Sequence, residues 1–177
     1  MSVAATWGTE RSERALAFPC DGYVEHPDAA YYRGITVHAS GPTLFRWLCQ
    51  LRAAPYSYDW IDNGGRRSPP TLTAGLDHLA VGQEVMRIFR LVEFERERHV
   101  TLLLRPETRG ARLFGDLAIT YLIVTQAPER CRLLVKILVR YPRGPRGLLM
   151  RALLPWGDLL MMQRQLLNLK RLAETGS

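Results

Sequence analysis

The sequence predicts an α+β fold: a curved antiparallel sheet wrapped around one long C-terminal helix. Two patterns carry that expectation. In 147–173, Leu148, Ala152, Pro155, Leu159, Met162, Leu166, Leu169 and Ala173 recur at alternating steps of four and three, which draws one stripe along a helix. Between 83 and 141 the chain runs mostly in strand periods, broken by short turns and by no helical crossover, so its strands follow one another as a meander. At 177 residues and 47% apolar content the chain can bury a core, or a core with a hollow in it.

Taken in order, residues 1–30 hold Pro19, Gly22 and Pro27 without a sustained period, and an irregular lead-in is expected before a single domain over 31–177. Residues 31–39 alternate as a first strand, with Ile35 and Val37 on one face. Ser40 or Pro42 then opens a helix over 43–52, which buries Leu44, Trp47, Leu48 and Leu51. In YSYDWID, Tyr56, Tyr58 and Trp60 alternate with Ser57, Asp59 and Ile61, a strand period ended by Asn63-Gly64-Gly65. Residues 71–82 read as a loop. Four strands are expected at 83–94, 100–105, 116–125 and 130–141, with turns at Arg96-Glu97-Arg98, Arg109-Gly110 and Ala127-Pro128-Glu129. The last strand places Cys131, Leu133, Val135, Ile137 and Val139 on a core face and Arg130, Arg132, Lys136 and Arg140 on a solvated one. Pro155 should kink the closing helix or divide it near Leu154.

Composition narrows the function classes. Net charge is +7, and all but Lys136 and Lys170 of the 24 basic residues are arginine. They are scattered and often paired with Glu, as in FERERH, so a solvated face is expected rather than a nucleic-acid surface. Cys20, Cys49 and Cys131 are odd in number and widely spaced without a CxxC pair, which fits a reducing cytoplasm. No window of about 18 uncharged apolar residues exists for a transmembrane segment, and MSVAATWGTERSERA reads as no secretory leader. His38 and His78 sit in no ligand pattern, and no GxGxxG, Walker loop or GxSxG occurs, so neither a metal nor a cofactor is expected.

The stretches WLCQLRAAPYSYDWIDNGGRRSP and GQEVMRIFRLVEFE, with the apolar closing helix, resemble the START-like (SRPBCC) superfamily. The resemblance spans 30–173 and points to bacterial members labelled polyketide cyclase/dehydratase or lipid-transport-like. It implies a helix-grip fold with a ligand cavity between sheet and helix. Members commonly carry two short helices after the first strand. Here only 43–52 reads as one, and the second is expected to be short, displaced toward 70–79, or missing. The superfamily shares no catalytic motif, so no residue role transfers with the likeness.

Candidate site residues follow from the residue types. Tyr56, Tyr58 and Trp60 could line the cavity, with ordinary sheet-to-helix packing as the alternative. Phe89, Tyr121, Trp156 and Met162 extend that apolar wall, and Arg67 is its candidate cation. Asp62 or Asp59 could serve as general acid or base, against the plainer role of shaping a turn. The leading expectation is binding or transport of a small hydrophobic molecule, lipid- or polyketide-like. Its rivals are a cyclase/dehydratase-type enzyme and a membrane-surface or partner-binding module, with the surplus apolar width of the helix as a homodimer contact.

Overall fold

The computed structural model describes residues 2–62 and 64–176, the Asp62 side chain excepted; Asn63, the expected turn residue, lies outside the described residues. Six strands form one sheet: β1 (Ala29–Val37), β2 (Glu84–Val85), β3 (Phe89–Glu95), β4 (His99–Leu104), β5 (Asp116–Ala127) and β6 (Arg130–Arg140). Their order is β1-β6-β5-β4-β3-β2, with every neighbouring pair antiparallel. The chain crosses from one edge to the other after β1 and then meanders back, so β1 closes on β6. Among the described residues the α-helices are α1 (Val3–Thr6), α2 (Arg11–Arg14), α3 (Gly41–Cys49), α4 (Asp59–Asp62), α5 (Arg109–Phe114) and α6 (Pro145–Thr175).

The face toward α6 carries Tyr31, Arg33 and Val37 of β1, Leu117, Ile119 and Tyr121 of β5, and Leu133, Val135 and Ile137 of β6. Arg33, Val135 and Tyr121 are in register across these three strands, which sets an arginine and a tyrosine in one row beneath the helix. Leu166, Leu169 and Ala173 seal the C-terminal half of α6 against this core. Pro145 occupies the first turn of α6, where its missing N–H forfeits nothing. Gly147 lies flat against the Pro142 carbonyl, and a Cβ there would clash with that oxygen. Pro155 leaves α6 one continuous element, not two.

Several expectations are corrected by long-range contacts. The aromatic stretch is not a strand. Tyr56 sits at φ 56°, outside the extended region. The Pro55 and Tyr56 carbonyls accept from Gln165 Nε2 at 2.6 Å and Asn168 Nδ2 at 2.8 Å, so helix side chains take the place of a neighbouring strand. One turn of helix, α4, follows at once and supplies the short second helix. The run 83–94 is a tight hairpin, because Met86 and Arg87 take φ of 47° and 64° and fold β2 back on β3. Arg109-Gly110 begins α5, where Thr108 caps the helix by accepting from the Ala111 N–H.

The opposite face of the sheet is covered where solvent was expected. Phe18, Cys20 and Val24 of the lead-in pack on Ala118, Leu122, Leu134 and Leu138. Arg132 is gripped by Glu13 at 2.6 and 2.9 Å, and Lys136 pairs with Asp21 at 2.5 Å. The N-terminal segment thus pairs Arg132 and Lys136 on the outer side of β6, while Arg130 and Arg140 at its ends stay exposed.

Candidate functional site: a cavity beneath the first half of α6

A cavity of about 750 Å³ lies between the first half of α6 and strands β3 to β5. The sheet contributes Phe89, Leu104, Leu117, Ile119 and Tyr121. The helix contributes Met150, Leu153, Leu154, Asp158, Met161, Met162 and Gln165. Ile61 of α4, Leu113 and Phe114 of α5, and Arg87 of the β2–β3 turn also stand on the wall. A larger recess of about 1070 Å³ at the start of α6 is polar, lined by His26, Asp28, Asp116, Arg140 and Arg151. Two of its arginines, Arg140 and Arg151, are already paired, with Asp116 at 2.7 Å and Asp28 at 2.6 Å. The apolar cavity is therefore the candidate site.

Among the described residues its wall carries two charged ones, Arg87 and Asp158. Arg87 is exposed, whereas Asp158 Oδ2 meets Arg33 at 2.6 Å, and the Arg33 side chain is 0% exposed. Arg33 also donates to the Tyr32 carbonyl at 2.9 Å and lies 5.7 Å from the Tyr31 ring centre. Burial pushes the Asp158 carboxyl up to about 6, against the opposing pull of Arg33. Beside this pair, the Tyr121 hydroxyl donates to Gln165 Oε1 at 2.7 Å. Burial and the Asp158 charge hold the Tyr121 hydroxyl well above its ordinary range, so it stays protonated. Tyr31 and Tyr141 share a hydrogen bond nearby.

Of the residues singled out from sequence, Phe89, Tyr121 and Met162 stand on this wall. Tyr56 is buried edge-on against Trp47 at 6.1 Å, with its hydroxyl unpartnered among the described residues. Tyr58 lies half-buried beneath the Arg164 guanidinium, 6.0 Å from its ring centre. Trp60 is 76% exposed because α4 turns it outward, and Trp156 is exposed on the outer side of α6. Arg67 is exposed in the loop. Asp59 accepts from the Ser68 N–H at 2.8 Å and the Ser68 hydroxyl at 2.5 Å, closing that loop away from the cavity. The side chain of Asp62, the other candidate acid, lies outside the described residues.

Asp158 is the functional candidate that residue-by-residue reading overlooks, although a signal existed. It is the only acidic residue between Pro145 and Ala173, and it stands seven residues before Gln165 on the same helical face. Arg33 gives no such signal, since its partner is 125 residues away. Among the described residues, no group of three or more His, Cys, Asp or Glu is gathered as metal ligands, and no helix is long and apolar enough to cross a membrane.

No family model and no curated protein matches the chain. Solved structures do. The chain has a helix-grip fold, a curved antiparallel sheet with a long C-terminal helix. A hypothetical protein of Helicobacter pylori is 15% identical, with a TM-score of 0.56 over 90% of this chain and 96% of the other. The di-domain ARO/CYC protein BexL of the BE-7585A biosynthetic pathway is 15% identical, with a TM-score of 0.53 over 82% of this chain and 46% of BexL. A protein of Chromobacterium violaceum is 15% identical, with a TM-score of 0.51 over 82% of this chain and 96% of the other. At such identities the helix-grip likeness concerns the fold alone.

Proposed function

We propose that the protein encloses a small hydrophobic molecule, lipid- or polyketide-like, between α6 and the sheet. The supporting observation is the cavity of about 750 Å³, within the range of small-molecule sites and walled mainly by Leu, Ile, Met and Phe. Methionines at 86, 150, 161 and 162 give that wall an adaptable surface suited to a loosely shaped occupant. Native mass spectrometry of the protein as expressed should find a co-purified apolar mass, or saturable uptake of a fluorescent fatty-acid analogue. An empty protein that takes up no apolar probe would overturn the proposal.

Asp158 favours a second reading, a cyclase- or dehydratase-type enzyme, and the ARO/CYC designation of BexL lends it context. A carboxyl pushed up to about 6 inside a cavity is suited to proton exchange near neutrality. In this reading Asp158 takes a proton from the carbon beside a substrate carbonyl and returns it to the departing hydroxyl, which leaves as water. Loss of water from a bound β-hydroxy ketone, absent without protein, is the test.

A third reading, docking on a membrane surface or a partner, draws on the exposed apolar side of α6, where Leu149, Trp156 and Leu160 are uncovered. Salt-dependent co-sedimentation with anionic vesicles tests it.

A further inference from the structure

The polar inventory of the cavity wall is lopsided. Gln165 Nε2 is spent on the Pro55 carbonyl at 2.6 Å, and the Tyr121 hydroxyl is spent on Gln165. Ser57 is itself engaged. Arg33 lies behind Asp158 and is no part of the wall. What remains toward the hollow is accepting capacity, and most of it is on Asp158. Its Oδ2 belongs to Arg33, while its Oδ1 has no hydrogen bond among the described residues. The salt bridge to the sheet holds the carboxylate in place, so this free oxygen is a fixed feature of the wall. Among the described residues the one cation on the wall, Arg87, is exposed on the β2–β3 turn.

We infer that the cavity selects apolar molecules whose polar end is a hydrogen-bond donor, a hydroxyl, phenol or ammonium, and that Asp158 Oδ1 receives it. This rests on the reading of the hollow as a ligand site and adds which chemistry enters first. A donor turned inward meets a charged acceptor in a poorly solvated place, where such a bond is worth about 1.5–3 kcal/mol in general. A carboxylate turned inward meets like charge at Asp158, and the unpartnered donor beside it, Arg33 Nε, is buried off the wall, so the carboxylate is left at the mouth near Arg87. Free fatty acids are therefore poor ligands and long-chain alcohols, alkylphenols or amines good ones.

The test displaces diphenylhexatriene, an apolar fluorophore without hydrogen-bonding groups, from wild-type protein with octylphenol, its methyl ether and octylbenzoate. At about pH 8 the phenol should compete at roughly tenfold lower concentration than the ether, with the benzoate weakest. Around pH 5, below the Asp158 titration, the phenol should lose part of its advantage and the benzoate should gain. The groups facing Asp158 are Arg33 and Tyr31 of β1, Tyr121 of β5 and Tyr141 after β6; burial raises all three tyrosines, so none titrates in that window. Exchanging the pair together, Arg33→Met with Asp158→Leu, should abolish the preference for phenol over ether.

Equal competition by phenol and ether, or a benzoate that wins at about pH 8, overturns the assignment to Asp158 and leaves the cavity reading intact. So does a preference that survives the double exchange. Failure of the fluorophore itself to bind overturns both. The wild-type series decides the question where the double variant does not fold.

Discussion

The two halves of α6 carry similar apolar loads and meet different fates. In the first half Leu148 is 71% exposed and Trp156 62%, and Leu149, Leu153 and Leu160 are also uncovered. In the second half Leu166 and Leu169 are 0% exposed and Leu172 and Ala173 are buried. The second half shares one core with α3, whose Leu44, Trp47 and Leu48 are buried and which packs on both α6 and β5. The first half spans the hollow, with Leu113 and Phe114 of short α5 on the same cavity wall, and the Arg33–Asp158 pair ties it to the sheet. A stripe in sequence thus records which side chains favour burial, while the elements opposite decide which of them obtain it.

The largest effect expected from this contrast concerns the polar tie. Arg33→Met leaves Asp158 buried without its partner and should cost about 3–5 kcal/mol near neutral pH, read from urea unfolding. The sign with pH follows from the carboxyl. Its folded value of about 6 lies above the reference 3.8, so the folded state holds the proton more tightly. Stability from this group is therefore full below about pH 4 and falls as pH rises through about 6. The Arg33→Met loss should shrink as the pH is lowered and Asp158 is neutralised. A loss unchanged by pH would assign the defect to packing.

Next in size is Leu166→Ala, expected to cost about 3 kcal/mol by opening a cavity in packed core. Leu153→Ala, on the loose half of the same helix, should stay within about 0.5 kcal/mol. Equal losses at the two leucines would break the contrast. Asn168→Ala should cost about 1–2 kcal/mol, because the Tyr56 carbonyl loses its donor. Smallest is Trp156→Ser, which should leave unfolding unchanged and reduce self-association at high concentration, read by light scattering.

Where contacts are local, the sequence was legible. The strand periods of β1, β4, β5 and β6 and the apolar stripes of α3 and α6 announce their elements, since each is set by its own alternation. The aromatic stretch misled because its backbone is satisfied by Gln165 and Asn168, about 110 residues later in the chain. The Met86-Arg87 turn carries neither glycine nor asparagine to mark its positive φ. The covering of the outer sheet face was hidden for a related reason. It depends on Phe18, Cys20, Glu13 and Asp21 meeting β5 and β6, and an irregular lead-in has no period to read. Within the candidate site, apolar wall residues such as Met162 were visible as pattern. The charged pair was not, because half of it lies on β1.

The central claim is that α6 roofs an apolar hollow open to a ligand, and equilibrium binding of diphenylhexatriene to wild type and to Leu154→Trp tests it most directly. Leu154 stands on the cavity wall and is only half-buried, so the larger ring fills the space without disturbing packed core. The account predicts about one saturable site per chain, lost in Leu154→Trp while the unfolding midpoint holds. Binding that is absent in wild type, or that persists undiminished with the ring in place, would contradict it.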